Sequence, residues 1–204
     1  MDVEAVTIDA FGTLVTLRDP VPALRAALAA RGVSRDARAV RRAFAAEVDY
    51  YVLRAHEGRD AATLAALRHD CASVFLAAAA AGELDAAAFP FVESLQFELV
   101  PNGRAACDDL SRAGLRLAVV SNWDIGLSEY LRALGLDLPV ITSAEAGAAK
   151  PDPAVFELAL HRLGTAARRT VHVGDSAADE EGARAAGLRF EPAPLAAAVR
   201  RILA

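Results

Sequence analysis

Cysteine, lysine and long apolar runs are scarce in these 204 residues, and each scarcity excludes a class of protein. The two cysteines, Cys71 and Cys107, are too few and too far apart for a disulfide framework or a zinc site. Each falls in an apolar helical pattern and reads as a core thiol of a reducing compartment. The Ala-rich run 75–81 is too short to span a bilayer, and no basic-then-apolar N-terminal segment resembles a signal peptide, so no membrane partner and a cytoplasmic location are expected. A net charge of −5 is the opposite of the basic footprint that nucleic acid requires. Small soluble molecules are the expected substrates, and a homodimer is compatible with the composition. What the chain does have is 54% hydrophobic residues against 24% charged ones, ample material for a core in one or two domains.

The texture changes twice along the chain. A short apolar run over 3–8 reads as a strand, after which strand signals are almost absent until residue 100. Ala and apolar positions recur at helical spacing over 21–31, 37–54, 61–81 and 84–96, which predicts four inserted helices. Beyond Pro101 short β-branched runs at 115–120, 140–142 and 170–173 alternate with helices at 103–113, 125–134, 153–163 and 178–186, and a last strand and helix follow. That alternation predicts an α/β fold with a Rossmann-like, doubly wound parallel sheet, whose ligands sit outside the carboxyl ends of the strands. Residues 1–16 and 99–204 would then form the catalytic core, and 17–98 a helical cap over its mouth.

Candidate functional residues stand where those strands end. Val6-Thr7-Ile8-Asp9-Ala10-Phe11-Gly12-Thr13-Leu14 closes an apolar run with a carboxylate and a small-residue turn, suiting Asp9 to act as a nucleophile; an Asp that merely opens a turn is the plain alternative. Ser121 and Asn122 follow the 115–120 strand, where they could bind an anion or simply cap the next helix. Lys150 precedes Pro151-Asp152-Pro153, a helix start, and a loop lysine is more often solvated. Gly174-Asp175-Ser176-Ala177-Ala178-Asp179 sets two carboxylates four residues apart at a strand-to-helix junction, hard oxygen ligands suited to Mg²⁺ rather than zinc. His172 lies on an apolar strand and reads as a core histidine, while His56, His69 and His161 have no metal-like spacing. Trp123 could line a pocket mouth or pack beneath the cap, and Tyr50 and Tyr51 could face the substrate or the cap core.

Asp9-x-Phe11-Gly12-Thr13-Leu14, Ser121-Asn122, Lys150-Pro151 and Gly174-Asp175-Ser176-x-x-Asp179, in this order and with a helical insert after the first, resemble the four motifs of the haloacid dehalogenase superfamily. The insert resembles the helical cap of its first subgroup. By that resemblance Asp9 is the nucleophile, Thr13, Ser121 and Asn122 bind the transferred group, and Lys150 neutralises charge. Asp9, Asp175 and the Phe11 backbone carbonyl ligate Mg²⁺, with Asp179 in support.

One departure matters. Phosphatases of the family carry a second Asp two residues after the nucleophile as general acid and base, and here that position is Phe11. A phenyl ring moves no proton, so a contribution of about 10²- to 10⁴-fold is missing from this position. L-2-haloacid dehalogenases resemble this variant, since halide leaves without a proton, and Arg38, Arg41 or Arg42 could supply a cap arginine, although solvated helix-face arginines are the commoner case. Those metal-free sites, however, do not keep the paired Asp175 and Asp179. Phosphonoacetaldehyde hydrolases also lack the second Asp but need a cap lysine, and Lys150 is the only lysine in this chain. A binding or regulatory protein with lost catalysis is the third reading, against which stands the retention of Asp9, Lys150 and Asp175 together.

Overall fold

The computed structural model describes residues 3–204, which divide into two compact units: the described residues up to Thr16 with Glu98–Ala204, and Leu17–Phe97. In chain order the elements are β1 (Ala5–Ile8), β2 (Val15–Leu17), α1 (Val21–Ala29), α2 (Ala37–Arg54), α3 (Ala61–Ala78), β3 (Phe97–Leu99), α4 (Gly103–Arg112) and β4 (Arg116–Ser121). There follow α5 (Leu127–Ala133), β5 (Val140–Thr142), α6 (Ser143–Ala146), α7 (Ala154–Leu163), β6 (Thr170–Gly174), α8 (Ala177–Ala185), β7 (Arg189–Pro192) and α9 (Leu195–Leu203).

In the first unit five parallel strands form one sheet in the order β5-β4-β1-β6-β7. β1 is central and fully buried, as its apolar character, interrupted only by Thr7, suits a strand covered on both faces. Ile8 lies opposite Val119 of β4 and Val173 of β6, and Thr7 lies opposite Ala118 and His172. Because the chain builds outward from β1 to both sides, the carboxyl ends of β1, β4 and β6 meet at the topological switch point of the sheet. Val155, Phe156 and Ala159 of α7 and Ala183 of α8 pack with Ala118, Val120 and Ile141 of the sheet in one apolar cluster.

The second unit packs α1, α2 and α3 around Leu24, Leu28, Val40, Leu67, Phe75 and Leu76. Asp36 caps α2 through the Ala39 N–H, and Asp60 and Thr63 form a reciprocal capping box at the start of α3. The fourth helix expected over 84–96 does not form; the stretch holds two 3₁₀ turns, Ala86–Ala88 and Val92–Ser94. Pro90 accounts for this, since it lacks an N–H and disfavours helix in the residue before it, and Phe89 is extended (φ −84°, ψ 125°). Phe89 and Phe91 pack instead on Phe75, with ring centroids at 5.7 and 5.2 Å. β2 and β3, which pair with each other, and the four-residue α6 are too short to leave a periodic signal. Among the described residues no helix is long and apolar enough to cross a membrane.

Glu47 of α2 is buried and shares a hydrogen bond with Cys71 of α3, and burial raises its carboxyl from 4.5 to about 7. Between those values the folded chain keeps a proton that the unfolded chain releases, so stability falls as pH rises through this window. Glu47→Gln should flatten that slope and raise stability at pH 8 by about 2 kcal/mol. Urea unfolding at pH 5 and pH 8 checks this, and an unchanged slope contradicts it.

Candidate active site

Asp9 continues β1 by one residue, its N–H donating to the Val173 carbonyl at 2.8 Å. The chain then folds back sharply: the N–H groups of Leu14 and Val15 both donate to the Ala10 carbonyl at 2.8 Å, and Gly12 donates to Val15 at 2.9 Å. Gly12 adopts φ +88°, and a Cβ there would lie 2.2 Å from Asp175 Oδ2, so only glycine lets this turn approach that carboxylate. Thr13 Oγ1 donates to Asp175 Oδ1 at 3.4 Å. The Phe11 ring is 52% exposed and lies 6.5 Å from the ring of Trp123, which in turn lies 6.3 Å from that of Tyr130.

Opposite Asp9, from β4, Ser121 donates its hydroxyl to Asp9 Oδ1 at 3.2 Å. Lys150 is buried, and all three of its ammonium hydrogens are engaged: Asp9 Oδ1 at 2.5 Å, Asp179 Oδ1 at 2.5 Å and the Val120 carbonyl at 3.1 Å. Asn122 fixes the backbone that carries it, accepting from Lys150 N at 2.7 Å and donating to Lys150 O at 3.0 Å. Asp179 accepts four hydrogen bonds. Lys150 and His172 Nε2 (3.0 Å) meet Oδ1, and the Ser176 N–H (3.0 Å) and hydroxyl (2.6 Å) meet Oδ2.

These contacts separate the two buried carboxylates. Burial raises the Asp9 carboxyl to about 6, reinforced by Asp179 and Asp175 and opposed by Lys150. Burial would raise Asp179 as well, but the hydrogen bond from His172, the charge and hydrogen bond of Lys150 and the bonds from Ser176 outweigh it and hold Asp179 well below the usual carboxylate range. Burial lowers His172 to about 4, so its imidazole is neutral at pH 7.

Asp9, Asp175 and Asp179 each offer an oxygen within 4.8 Å of the others. Asp179 is saturated by its four donors, whereas Asp175 is exposed and, among the described residues, no hydrogen bond reaches Asp9 Oδ2. The carboxylates of Asp9 and Asp175, with the Phe11 carbonyl on the adjacent turn, could therefore hold a hard divalent cation such as Mg²⁺, and the all-oxygen set fits that ion.

Six residues expected at the site thus come together: Asp9, Thr13, Ser121, Lys150, Asp175 and Asp179. Asn122, expected to touch the transferred group, has both ends of its amide on the Lys150 backbone. Arg38, Arg41 and Arg42 lie in the helical unit, where Arg41 stands 3.7 Å from Asp19 in an exposed pair; Tyr50 there donates to Asp70. His172 is the residue whose connection the sequence reading missed. The available signal was a polar residue at the same level of two apolar runs, Val6-Thr7-Ile8 and Val171-His172-Val173.

A family model described as haloacid dehalogenase-like hydrolase matches residues 3–187. The chain belongs to that family. The chain is 40% identical over 88 residues to haloacid dehalogenase-like hydrolase domain-containing protein 3 of Xenopus laevis, covering 42% of this chain and 36% of that protein. It is 38% identical over 104 residues to a phosphoserine phosphatase of Thermus thermophilus, covering 48% of this chain and 42% of that protein. Both matches cover less than half of the relative's length. Among solved structures a defluorinating L-2-haloacid dehalogenase superposes with a TM-score of 0.71 at 23% identity, covering 92% of this chain and 80% of that one, a likeness of fold.

Removing one partner of a buried ion pair costs about 3–5 kcal/mol, because the other charge remains without compensation. Lys150→Met should lose stability of that order in urea at pH 7.5, and adding Asp179→Asn should recover part of it. Additive losses in the double variant would contradict the coupling.

Proposed function

We propose that this hydrolase is a Mg²⁺-dependent phosphatase of small molecules that transfers a phosphoryl group first to Asp9 and then to water. The observation that supports this best is the charge balance of the site. Asp9, Asp175 and Asp179 carry three negative charges against the single positive charge of Lys150. Each like-charge pair about 4 Å apart costs on the order of 4 kcal/mol at an effective dielectric near 20, which would repel an anionic substrate. A divalent cation brings the sum to zero.

Bound Mg²⁺ would be held by Asp9, Asp175 and the Phe11 carbonyl and would supply charge neutralisation at phosphoryl oxygens. The chain's own groups do the rest. A carboxylate oxygen of Asp9 attacks phosphorus, the bond from phosphorus to the leaving oxygen breaks, and an aspartyl phosphate forms. Thr13 and Ser121 orient the group with their hydroxyls, Lys150 offsets its charge, and Asn122 acts through the Lys150 backbone. Water then attacks phosphorus, the bond between phosphorus and the Asp9 oxygen breaks to restore the carboxylate, and phosphate leaves while the surplus proton passes to solvent. Phe11 supplies no proton to the leaving oxygen, so the efficient substrates are those whose leaving group departs as an anion, aryl or acyl phosphates. The phosphoserine phosphatase among the relatives supports phosphoryl chemistry. Phe11 itself favours the second reading, metal-independent displacement of halide from an L-2-haloacid.

Asp9→Asn and chelation of divalent metal should each abolish turnover of p-nitrophenyl phosphate. Halide release from an L-2-haloacid that persists in chelator would establish the second reading. Phe11→Asp restores an acid, so alkyl phosphates should gain at least about tenfold more than aryl ones. Equal gains would contradict the role given to Phe11.

A further inference from the structure

The site rests on a hydrogen-bonded chain that runs back into the sheet. Thr7 of β1 and His172 of β6 are register partners, both fully buried, and Thr7 Oγ1 lies 2.9 Å from His172 Nδ1. His172 Nε2 lies 3.0 Å from Asp179 Oδ1, the oxygen that also receives Lys150 Nζ. We propose that His172 is a positioning residue: as the Nε2–H tautomer fixed by Thr7, it aims Asp179 at Lys150 and thereby sets the ammonium against Asp9.

The donor and acceptor assignment follows from the partners. Asp179 is a carboxylate and only accepts, so Nε2 carries the proton and donates. A neutral imidazole has a single N–H, so Nδ1 accepts and the Thr7 hydroxyl donates to it. Phe156 packs edge-on against the imidazole at 4.8 Å and Phe190 lies 6.4 Å away, a setting that resists rotation of the ring. At the other end, a Cβ on Gly174 would stand 2.4 Å from Asp179 Cγ, so the carboxylate is wedged against the end of β6. With each Asp179 oxygen accepting two hydrogen bonds and all three Lys150 hydrogens used, neither group has slack. Removing the His172 donor leaves Oδ1 bound only to Lys150, so the carboxylate can turn about its Ser176-held Oδ2 and carry the ammonium away from Asp9.

Because Lys150 is the only lysine, amine labelling reads its environment without ambiguity once a digest separates it from the N-terminal amine. That readout does not depend on the phosphatase reading, whereas the kinetic one does. Labelling by reductive methylation should be about tenfold faster at Lys150 in His172→Leu than in the wild type, and near wild type in His172→Gln, whose amide can still donate to Asp179. With p-nitrophenyl phosphate, kcat should fall about 10- to 100-fold in the Leu variant with little change in KM, and recover in the Gln variant. Nitrogen NMR of the wild-type imidazole should show a protonated Nε2 and a bare Nδ1, and Thr7→Val, which keeps the side-chain shape, should mix the tautomers even if the Leu variant fails to fold. Equal Lys150 labelling in the wild type, Leu and Gln variants, or a protonated Nδ1, would overturn the proposal. Normal labelling contrasts in a protein with no phosphatase turnover would uphold it and overturn the functional reading instead.

Discussion

The ammonium of Lys150 stands between two buried carboxylates, 2.5 Å from each, and the arrangement of the site depends on it. Taking three charges out of water is costly unless each is paired and its remaining hydrogen-bonding capacity is filled. The surrounding contacts meet that demand. Val120 takes the third ammonium hydrogen, Asn122 grips the Lys150 backbone, and His172 and Ser176 fill the remaining positions on Asp179. Every one of these groups sits on or beside the carboxyl end of β1, β4 or β6, or in the loop before α7. The parallel sheet thus provides the one place where such distant stretches of chain converge.

Two carboxylates with different environments divide the work. Asp179 is fully ligated by donors and ionised, so its charge serves to hold Lys150. Asp9 is raised by burial, and among the described residues no donor reaches its Oδ2, which leaves that oxygen open to a ligand. Asp175, exposed and pressed against the Gly12 turn, adds the third negative charge, which in the proposed function a divalent cation offsets. The exposed Phe11 ring joins Trp123 and Tyr130 in an aromatic series, and in the proposed function it stands in place of the proton donor an alkyl leaving group would need. Surplus negative charge and a missing acid together define the chemistry proposed: phosphoryl transfer from good leaving groups.

The fold was largely legible because its signals are local. β-Branched runs and Ala-rich helices alternate at regular spacing, and helices such as Ala37–Arg54 have the limits their periodicity predicts. The sequence misled where one residue overrides periodicity, as Pro90 does in 84–96, and was silent on the short β2, β3 and α6. At the site, residues at strand ends were readable because strand ends are. Asn122 and His172 were not, since their roles are set by partners 28 and 165 residues away: Lys150 for Asn122 and Thr7 for His172. An amide beside a strand end looks the same whether it faces a ligand or the backbone of a distant loop. A histidine in an apolar strand likewise gives no hint of the carboxylate waiting at the next helix.

The central claim is that Asp9 becomes phosphorylated. Acid quenching of the Mg²⁺-loaded protein during turnover of an aryl phosphate, followed by digestion and mass spectrometry, tests it directly. The account predicts the added mass of one phosphoryl group on the peptide that contains Asp9, lost in Asp9→Asn. An unmodified Asp9 peptide under turnover, or a carboxyalkyl ester on Asp9 formed from an L-2-haloacid without metal, would contradict it.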